Sequence, residues 1–410
     1  MARLLNLPED TLIEILLRLP VKTLVRFKCV SKSWFSLLTC PSFIDMHLKF
    51  SLTRDDEFVL INRSEEPCQN ILSLHNDDEF LSILVPNLEI QYLNDESPEI
   101  KAPNDQCFKL VGSSCNGIVC LFNDHNFALF NPATRQIRIL PPHPPCPEGF
   151  YSYTEVLGFG FDAATDDYKV VIISQLDFRN PLDDHPNISV RHFDLDFWEA
   201  KIYSFTKDSW KELDYVPPLI HSFRPTGFDL FFNDRIHYII GVGYECECRD
   251  PSILSLDIST ELFHKFGYPK ADKTSTDEDT GDYESLAIIN DALALILYTG
   301  KYPDPHPFEQ FIDVWIMKEY GNEESWSKQY SIGPLSGIIR PISIWKNNRI
   351  LLERVIGGDL DHYEVQLAAC DLVNCEQLLK YNDVHGHEFT MEVVFYKETL
   401  VSIAITKLQE

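Results

Sequence analysis

Apolar residues fall into two different rhythms along this chain. In the first, up to about residue 41, they recur at helical spacing: Leu12, Leu16 and Leu19 repeat, with Ile13, Ile15 and Leu17 beside them. Pro8 suits the first turn of such a helix, Glu9 and Asp10 complement the positive end of its dipole, and Pro20 ends it. A second short helix is predicted over 22–28 and a third over 31–38, with Ser31 as N-cap and Trp34, Leu37 and Leu38 as its apolar side; Pro41 closes the unit. Three helices in about forty residues bury too little apolar surface to stand firmly alone. They are either a cap packed on the rest of the chain or a docking unit whose spare apolar surface is meant for another protein.

The second rhythm starts near residue 57, where short apolar runs alternate with Asn, Asp, Gly and Pro turn signals and no long amphipathic stretch intervenes. One segment type recurs, two apolar strands around a tight polar turn. The turns fall at Asn116-Gly117, Thr165-Asp166-Asp167, Asn233-Asp234, Asn290-Asp291, Asn347-Asn348 and Lys397-Glu398. Counted from Gly117, Asp166, Asp234, Asp291, Asn348 and Glu398, the intervals are 49, 68, 57, 57 and 50 residues. That is one unit per roughly 50 residues with insertions, a propeller spacing. Each of the first five hairpins is followed by a second pair around a turn of Asn, Asp, Ser or Thr and a bulky residue, as in Asp208-Ser209-Trp210 and Ser325-Trp326. The sixth hairpin, 391–403, lacks its second pair, while two unpaired apolar runs, 58–61 and 80–85, remain at the other end. If those runs complete the sixth blade, the ring closes by joining both ends of the chain and leaves few exposed edges. The prediction is a six-bladed propeller; a pair of β-sandwiches, which need no regular interval, is the alternative.

Charge follows the same division. The chain carries 63 Asp+Glu against 35 Lys+Arg, a formal −28; residues 1–50 hold seven basic and four acidic residues, so the remainder carries −31. Nucleic acid and anionic membrane are therefore poor partners, and a basic protein is a better one. Acidic residues come too early for a signal peptide, and no apolar run approaches the roughly 18 residues that cross a bilayer. A cytoplasmic protein is expected, with the nucleus as the other option. Its 11 cysteines are then expected as reduced thiols.

No catalytic motif emerges. Gly158-Phe159-Gly160-Phe161 lacks the third glycine and the helix of a nucleotide loop. Cys246-Glu247-Cys248 and the Cys115 to Cys120 pair lack partners at zinc spacing, and His385-Gly386-His387 reads as a loop without a carboxylate partner. Neither a cofactor nor a metal is called for. A propeller enzyme or small-molecule sensor, its site assembled from distant strands, is the rival reading. Function in such rings usually sits in long loops on one face. The largest insertion, 174–201, carries Asp183, Asp184, Asp194 and Asp196 with the aromatic Trp198; another, 267–283, carries Asp277, Glu278 and Asp279, and 76–105 is acidic too. These are either solvated surface or an acidic, aromatic-bearing face that steers and holds a basic protein.

The run from Leu7-Pro8-Glu9-Asp10 through Leu16-Leu17-Arg18-Leu19-Pro20 to Val30-Ser31-Lys32-Ser33-Trp34, closing at Pro41-Ser42-Phe43, resembles the F-box motif as plant proteins write it. That resemblance implies docking on the Skp-family adaptor and, through it, on the cullin and RING subunits of an SCF-type ubiquitin ligase. The matching adaptor-facing positions are Leu7, Pro8, Leu12, Ile15, Leu16, Leu19, Pro20, Leu24, Val30 and Trp34. Leu12, Leu16 and Leu37 can equally serve the unit's own core. Phe159-Gly160-Phe161-Asp162, Asp167-Tyr168-Lys169-Val170-Val171, Asn131-Pro132-Ala133-Thr134-Arg135 and Ser325-Trp326 resemble plant F-box-associated domains. Asp56-Glu57-Phe58-Val59-Leu60, Lys318-Glu319-Tyr320-Gly321 and Tyr396-Lys397-Glu398-Thr399-Leu400 are similar to the S-locus F-box family of pollen self-incompatibility determinants. The resemblance implies a non-catalytic receptor whose most specific target is a non-self S-RNase, met in the pollen tube cytosol. A general plant F-box receptor for another protein is the alternative. The expected architecture is an α+β multidomain chain: a trihelical F-box at 1–48 for adaptor docking, then an all-β, six-bladed, kelch-like propeller at 57–405 for substrate recognition.

Overall fold

A computed structural model describes residues 8–54, 56–66, 69–75, 83–85, 108–123, 126–178, 197–216, 230–240, 251–269, 281–300, 310–346, 349–358, 363–375 and 378–404. Four helices come first: α1 (Glu9–Leu17), α2 (Val21–Phe27), α3 (Lys32–Thr39) and α4 (Pro41–Thr53). Prolines set the starts of α1 and α2, because the Pro8 carbonyl accepts from the Leu12 N–H at 3.1 Å and the Pro20 carbonyl from the Leu24 N–H at 3.2 Å. Ser31 caps α3, its Oγ accepting from the Trp34 N–H at 3.2 Å. The fourth helix corrects the three-helix expectation. Pro41 starts a helix instead of closing the unit: at the first helical position its missing N–H is one that would go unpaired anyway. Phe43, His47 and Ser51 then form the buried side of α4.

Six four-stranded antiparallel sheets follow, as the turn spacing predicted. The first five are β4–β7 (Lys109–Cys115, Ile118–Asn123, Asn126–Asn131, Gln136–Ile139), β8–β11 (Phe150–Asp162, Asp167–Phe178, Phe197–Ser204, Ser209–Glu212), β12–β15 (Leu230–Phe232, Arg235–Ile240, Ser252–Asp257, Phe263–Gly267), β16–β19 (Gly281–Ile289, Ala292–Gly300, Gln310–Met317, Trp326–Leu335) and β20–β23 (Ile338–Trp345, Arg349–Gly358, Tyr363–Asp371, Leu379–His387). The sixth combines both ends of the chain: β24 (Glu392–Tyr396) pairs with β1 (Phe58–Glu66), followed by β2 (Gln69–His75) and β3 (Ile83–Val85). Val59 lies opposite Phe395 and Leu60 opposite Val394 in that closing pair. The first strand of each blade touches the first strand of the next, from β4 round to β24 and back to β4, so these six strands surround the axis.

The closing blade takes one strand from the C-terminal side and three from the N-terminal side, β2 among them, where the sequence-based expectation had two and two. The chain does not turn back at Lys397-Glu398 into a second strand; residues 397–403 leave the sheet and lie against the helices and the first blade. Leu400 is 1% exposed and belongs to the helical core with Leu16, Val21, Leu24, Leu38 and Phe43.

Apolar clusters lie between adjacent blades, one sheet face against the next. Gly158 shows why the Gly-Phe-Gly-Phe segment is a blade feature: a Cβ there would lie 2.6 Å from the Tyr238 hydroxyl and 2.9 Å from Ile236 on the neighbouring blade. Polar stitches cross the same seams. The Lys169 ammonium donates to Asp162 Oδ2 at 2.7 Å and to the Ile258 carbonyl of the next blade at 2.7 Å. The signature tryptophans do likewise: Trp210 Nε1 donates to the Pro141 carbonyl at 2.8 Å and Trp326 Nε1 to the Gly267 carbonyl at 3.1 Å.

Two further expectations are revised. His385 and His387 lie in strand β23, not in a loop. Reduced thiols do not hold throughout, since Cys370 and Cys375 are joined as a disulfide across the turn after β22, where the fold brings their Cα atoms to 5.2 Å. Cys29, Cys40, Cys115, Cys120 and Cys146 are not in disulfides; burial pushes the Cys115 thiol up to about 12, which leaves it inert.

Candidate docking faces

In an antiparallel blade the turns after the first and third strands lie on one face of the ring, and the connections after the second and fourth strands on the other. The helices sit on the first of these, the near face, because α4 runs into β1 beside the end of β24. There the hairpin turns are tight, with left-handed φ at both Asn233 and Asp234 and at both Asn290 and Asp291. Turns after the third strands are closed by a repeated side-chain bond. Asn131 Oδ1 accepts from the N–H groups of Ala133 (3.0 Å) and Thr134 (3.2 Å). Asp257 Oδ1 does the same for Ser259 (3.1 Å) and Thr260 (2.9 Å), and Asp371 Oδ1 for Val373 (2.8 Å) and Asn374 (3.1 Å). This is the chemistry beneath the Asn/Asp turn signature of the sequence.

The helical unit carries the first candidate face. Leu16 and Leu24 are buried in its core, and Leu12, Leu19 and Trp34 are half-buried against it. Trp34 meets Phe27 edge to face with ring centroids 5.2 Å apart, which holds α2 against α3. Pro8, Ile15, Pro20 and Val30 are exposed, Val30 to 66%. Leu7 lies outside the described residues. Phe35 and Met46, which the motif reading did not single out, are also exposed apolar residues, at 54% and 37%. A small unit displaying this much apolar surface beside a buried core has the composition of a protein-docking surface. His47 beneath it stays neutral at pH 7, because burial, with help from Arg54, lowers it to about 4.

The second candidate face is the opposite one. Strands β9 and β10 end there around 179–196, β15 and β16 around 270–280, β13 and β14 around 241–250, and β3 and β4 around 86–107. The predicted Asp183, Asp184, Asp194 and Asp196 fall in the first of these segments and Asp277, Glu278 and Asp279 in the second, all outside the described residues, as is Cys246-Glu247-Cys248. The insertion is shorter than its sequence suggested. Residues to Phe178 and from Phe197 are strand, which puts Trp198 in β10, where it is half-buried and packs against the apolar cluster between the second and third blades. The neighbouring Glu199 carboxylate takes a 2.6 Å bond from the Lys201 ammonium, a pair that is almost wholly buried.

Comparison with known proteins bears on both faces. The F-box associated beta propeller domain matches residues 81–354 and the F-box domain matches residues 4–45. Similar proteins include the F-box protein CPR1 of Arabidopsis thaliana, 28% identical over 85% of this chain and 79% of that one. Another is the F-box/kelch-repeat protein At3g23880 of the same plant, 26% identical over 85% of each. Among solved structures, an oligogalacturonate lyase from Vibrio parahaemolyticus is similar at a TM-score of 0.40 and 12% identity over 78% of each chain, a likeness too weak to carry an argument.

Proposed function

This chain belongs to the F-box proteins that carry an F-box associated beta propeller domain, and on that premise we propose that it is the substrate-recognition subunit of an SCF-type ubiquitin ligase. The observation that carries the reading is the opposition of its two faces: an apolar helical unit on one side of the ring, and the acid-rich long connections leaving from the other. The helices take the Skp-family adaptor and, through it, the cullin and RING subunits. The far face holds the target, and the ring between them sets the distance to the ubiquitin-conjugating enzyme. The chain itself contributes recognition and no catalysis, and it works in the cytosol or nucleus.

The finer reading concerns the target. The −31 charge outside the first fifty residues suits a basic protein, and the similarity to the S-locus F-box family at Asp56-Glu57-Phe58 and Tyr396-Lys397-Glu398 points to non-self S-RNases in the pollen tube. Affinity purification from pollen extract, with and without stylar extract, tests both levels. Adaptor and cullin together with a basic ribonuclease support the whole reading. Adaptor and cullin with another target keep the ligase and move the substrate; recovery of neither ligase subunit refutes it. Loss of adaptor capture on changing Leu19, Pro20 and Trp34 to alanine is the expected control.

A further inference from the structure

The segment after β24 has two sides. Thr399, Val401 and Ile403 face the first blade: the Thr399 hydroxyl donates to the Asn116 carbonyl at 2.8 Å, and Ile403 is buried among blade residues. The Asn131 amide donates to the carbonyls of Thr399 (3.2 Å) and Val401 (2.8 Å). Gly117 is glycine because a Cβ there would lie 2.5 Å from Thr399 Oγ1 and 2.6 Å from the Lys397 carbonyl, at a φ of +76°.

Lys397, Glu398 and Leu400 face the helices. The Glu398 side chain lies close to the backbone N–H of Val21, at the start of α2. The Ser51 hydroxyl of α4 donates to the Glu398 carbonyl at 2.9 Å. The Lys397 ammonium donates to the carbonyls of Leu52 (2.9 Å) and Arg54 (2.7 Å), at the end of α4. An acid thus sits on a helix N-terminus and a cation on a helix C-terminus, each the favourable pole. Between them Leu400 enters the helical core beside Leu16, Val21, Leu24, Leu38 and Phe43.

We propose that residues 397–403 are a strap that completes the F-box from the opposite end of the chain and locks it onto the ring. Adaptor docking then depends on the C-terminal end although no adaptor-facing position lies there. The inference rests on the adaptor reading for its binding measurement only; its exchange measurement stands without it.

The test uses the full chain and a recombinant Skp-family adaptor. Leu400→Asp is expected to weaken adaptor affinity at least about tenfold and to speed amide exchange in α2 and α4 while the blade amides keep their protection. The Lys397→Met/Glu398→Gln variant, which keeps the buried leucine, is expected to speed exchange in the first turn of α2 and the last turn of α4 about tenfold. It decides alone if Leu400→Asp does not fold. Wild-type exchange rates in those turns in the double variant would overturn the proposal. So would wild-type adaptor affinity in a folded Leu400→Asp protein. If even the wild type fails to bind adaptor, the proposed function falls and the exchange result still decides the strap.

Discussion

The carboxylate of Glu392, on the strand from the C-terminal end, accepts a hydrogen bond from the Asn62 amide, on the strand from the N-terminal end, at 2.9 Å. It also accepts the Leu110 N–H of the first blade at 2.7 Å. Burial pushes the Glu392 carboxyl up to about 7, against the pull of these donors and of Lys109 and Arg340. Between its ordinary value of 4.5 and about 7, the folded protein therefore keeps a proton that the unfolded chain has lost. The stabilisation from protonation is present in full below the unfolded value and is lost as pH rises through the folded one. Urea unfolding is expected to show stability falling from pH 5 to pH 8 by on the order of 2 kcal/mol. Glu392→Gln should flatten that slope, and an unchanged slope would place the dependence on another group.

Arg340 and Glu353 form a buried pair on the fifth blade, with Arg340 Nε to Glu353 Oε2 at 2.8 Å. The pair also grips the approach to β24: Arg340 donates to the Met391 carbonyl at 2.9 Å, and Glu353 accepts the Met391 N–H at 3.1 Å. Arg340→Met leaves a buried carboxylate without its cation and is expected to cost about 3–5 kcal/mol in urea unfolding. Arg340→Met combined with Glu353→Leu removes both charges and should recover much of the loss. If the double variant is as unstable as the single one, the pair matters for its bonds to the chain before β24 and not for charge.

Trp326 separates the apolar and polar parts of a blade seam. Trp326→Phe keeps a ring at a site only 8% exposed but removes the donor to the Gly267 carbonyl. A loss of about 1 kcal/mol is expected, against about 3–5 kcal/mol for Trp326→Ala. Equal losses from both would mean that Phe does not fill the indole site.

On the helical unit, Val30 and Leu24 distinguish surface from core. Val30→Asp at an exposed site should leave the melting temperature unchanged and weaken Skp-family adaptor binding in a direct titration. Leu24→Ala, at a residue with no exposure, should cost about 2–5 kcal/mol of stability before any effect on binding is considered. Full adaptor affinity in Val30→Asp would remove that residue from the docking surface.

Blade number and the turns at Asn116, Asp166, Asn233 and Asn290 were legible because a tight hairpin needs left-handed backbone at its tip, which these residues supply at low cost; the predicted turn at Asn347-Asn348 lies outside the described residues, and Lys397-Glu398 turns no hairpin. Closure by the two ends was legible as well, from one incomplete unit at each end. The fourth helix was not. Its buried side includes His47 and Ser51, so it shows no apolar stripe, and a proline at its first position looks like a stop. The strap was misread as a strand because alternation looks the same whether alternate residues meet one sheet or two different bodies. Trp198 and Glu199 were placed in a loop because the charged run around them masks where β9 and β10 begin to pair. The reason for Gly158 lies on another blade, where no local pattern could show it.

The pairing of Val59 with Phe395 also sets an order of events during translation. Strand β1 leaves the ribosome well ahead of its inner neighbour β24, with five other blades made in between. The ring therefore stays open until β24 has emerged, with the inner edge of β1 waiting for its partner. A message that stops before β24 yields those five blades and no way to close the ring.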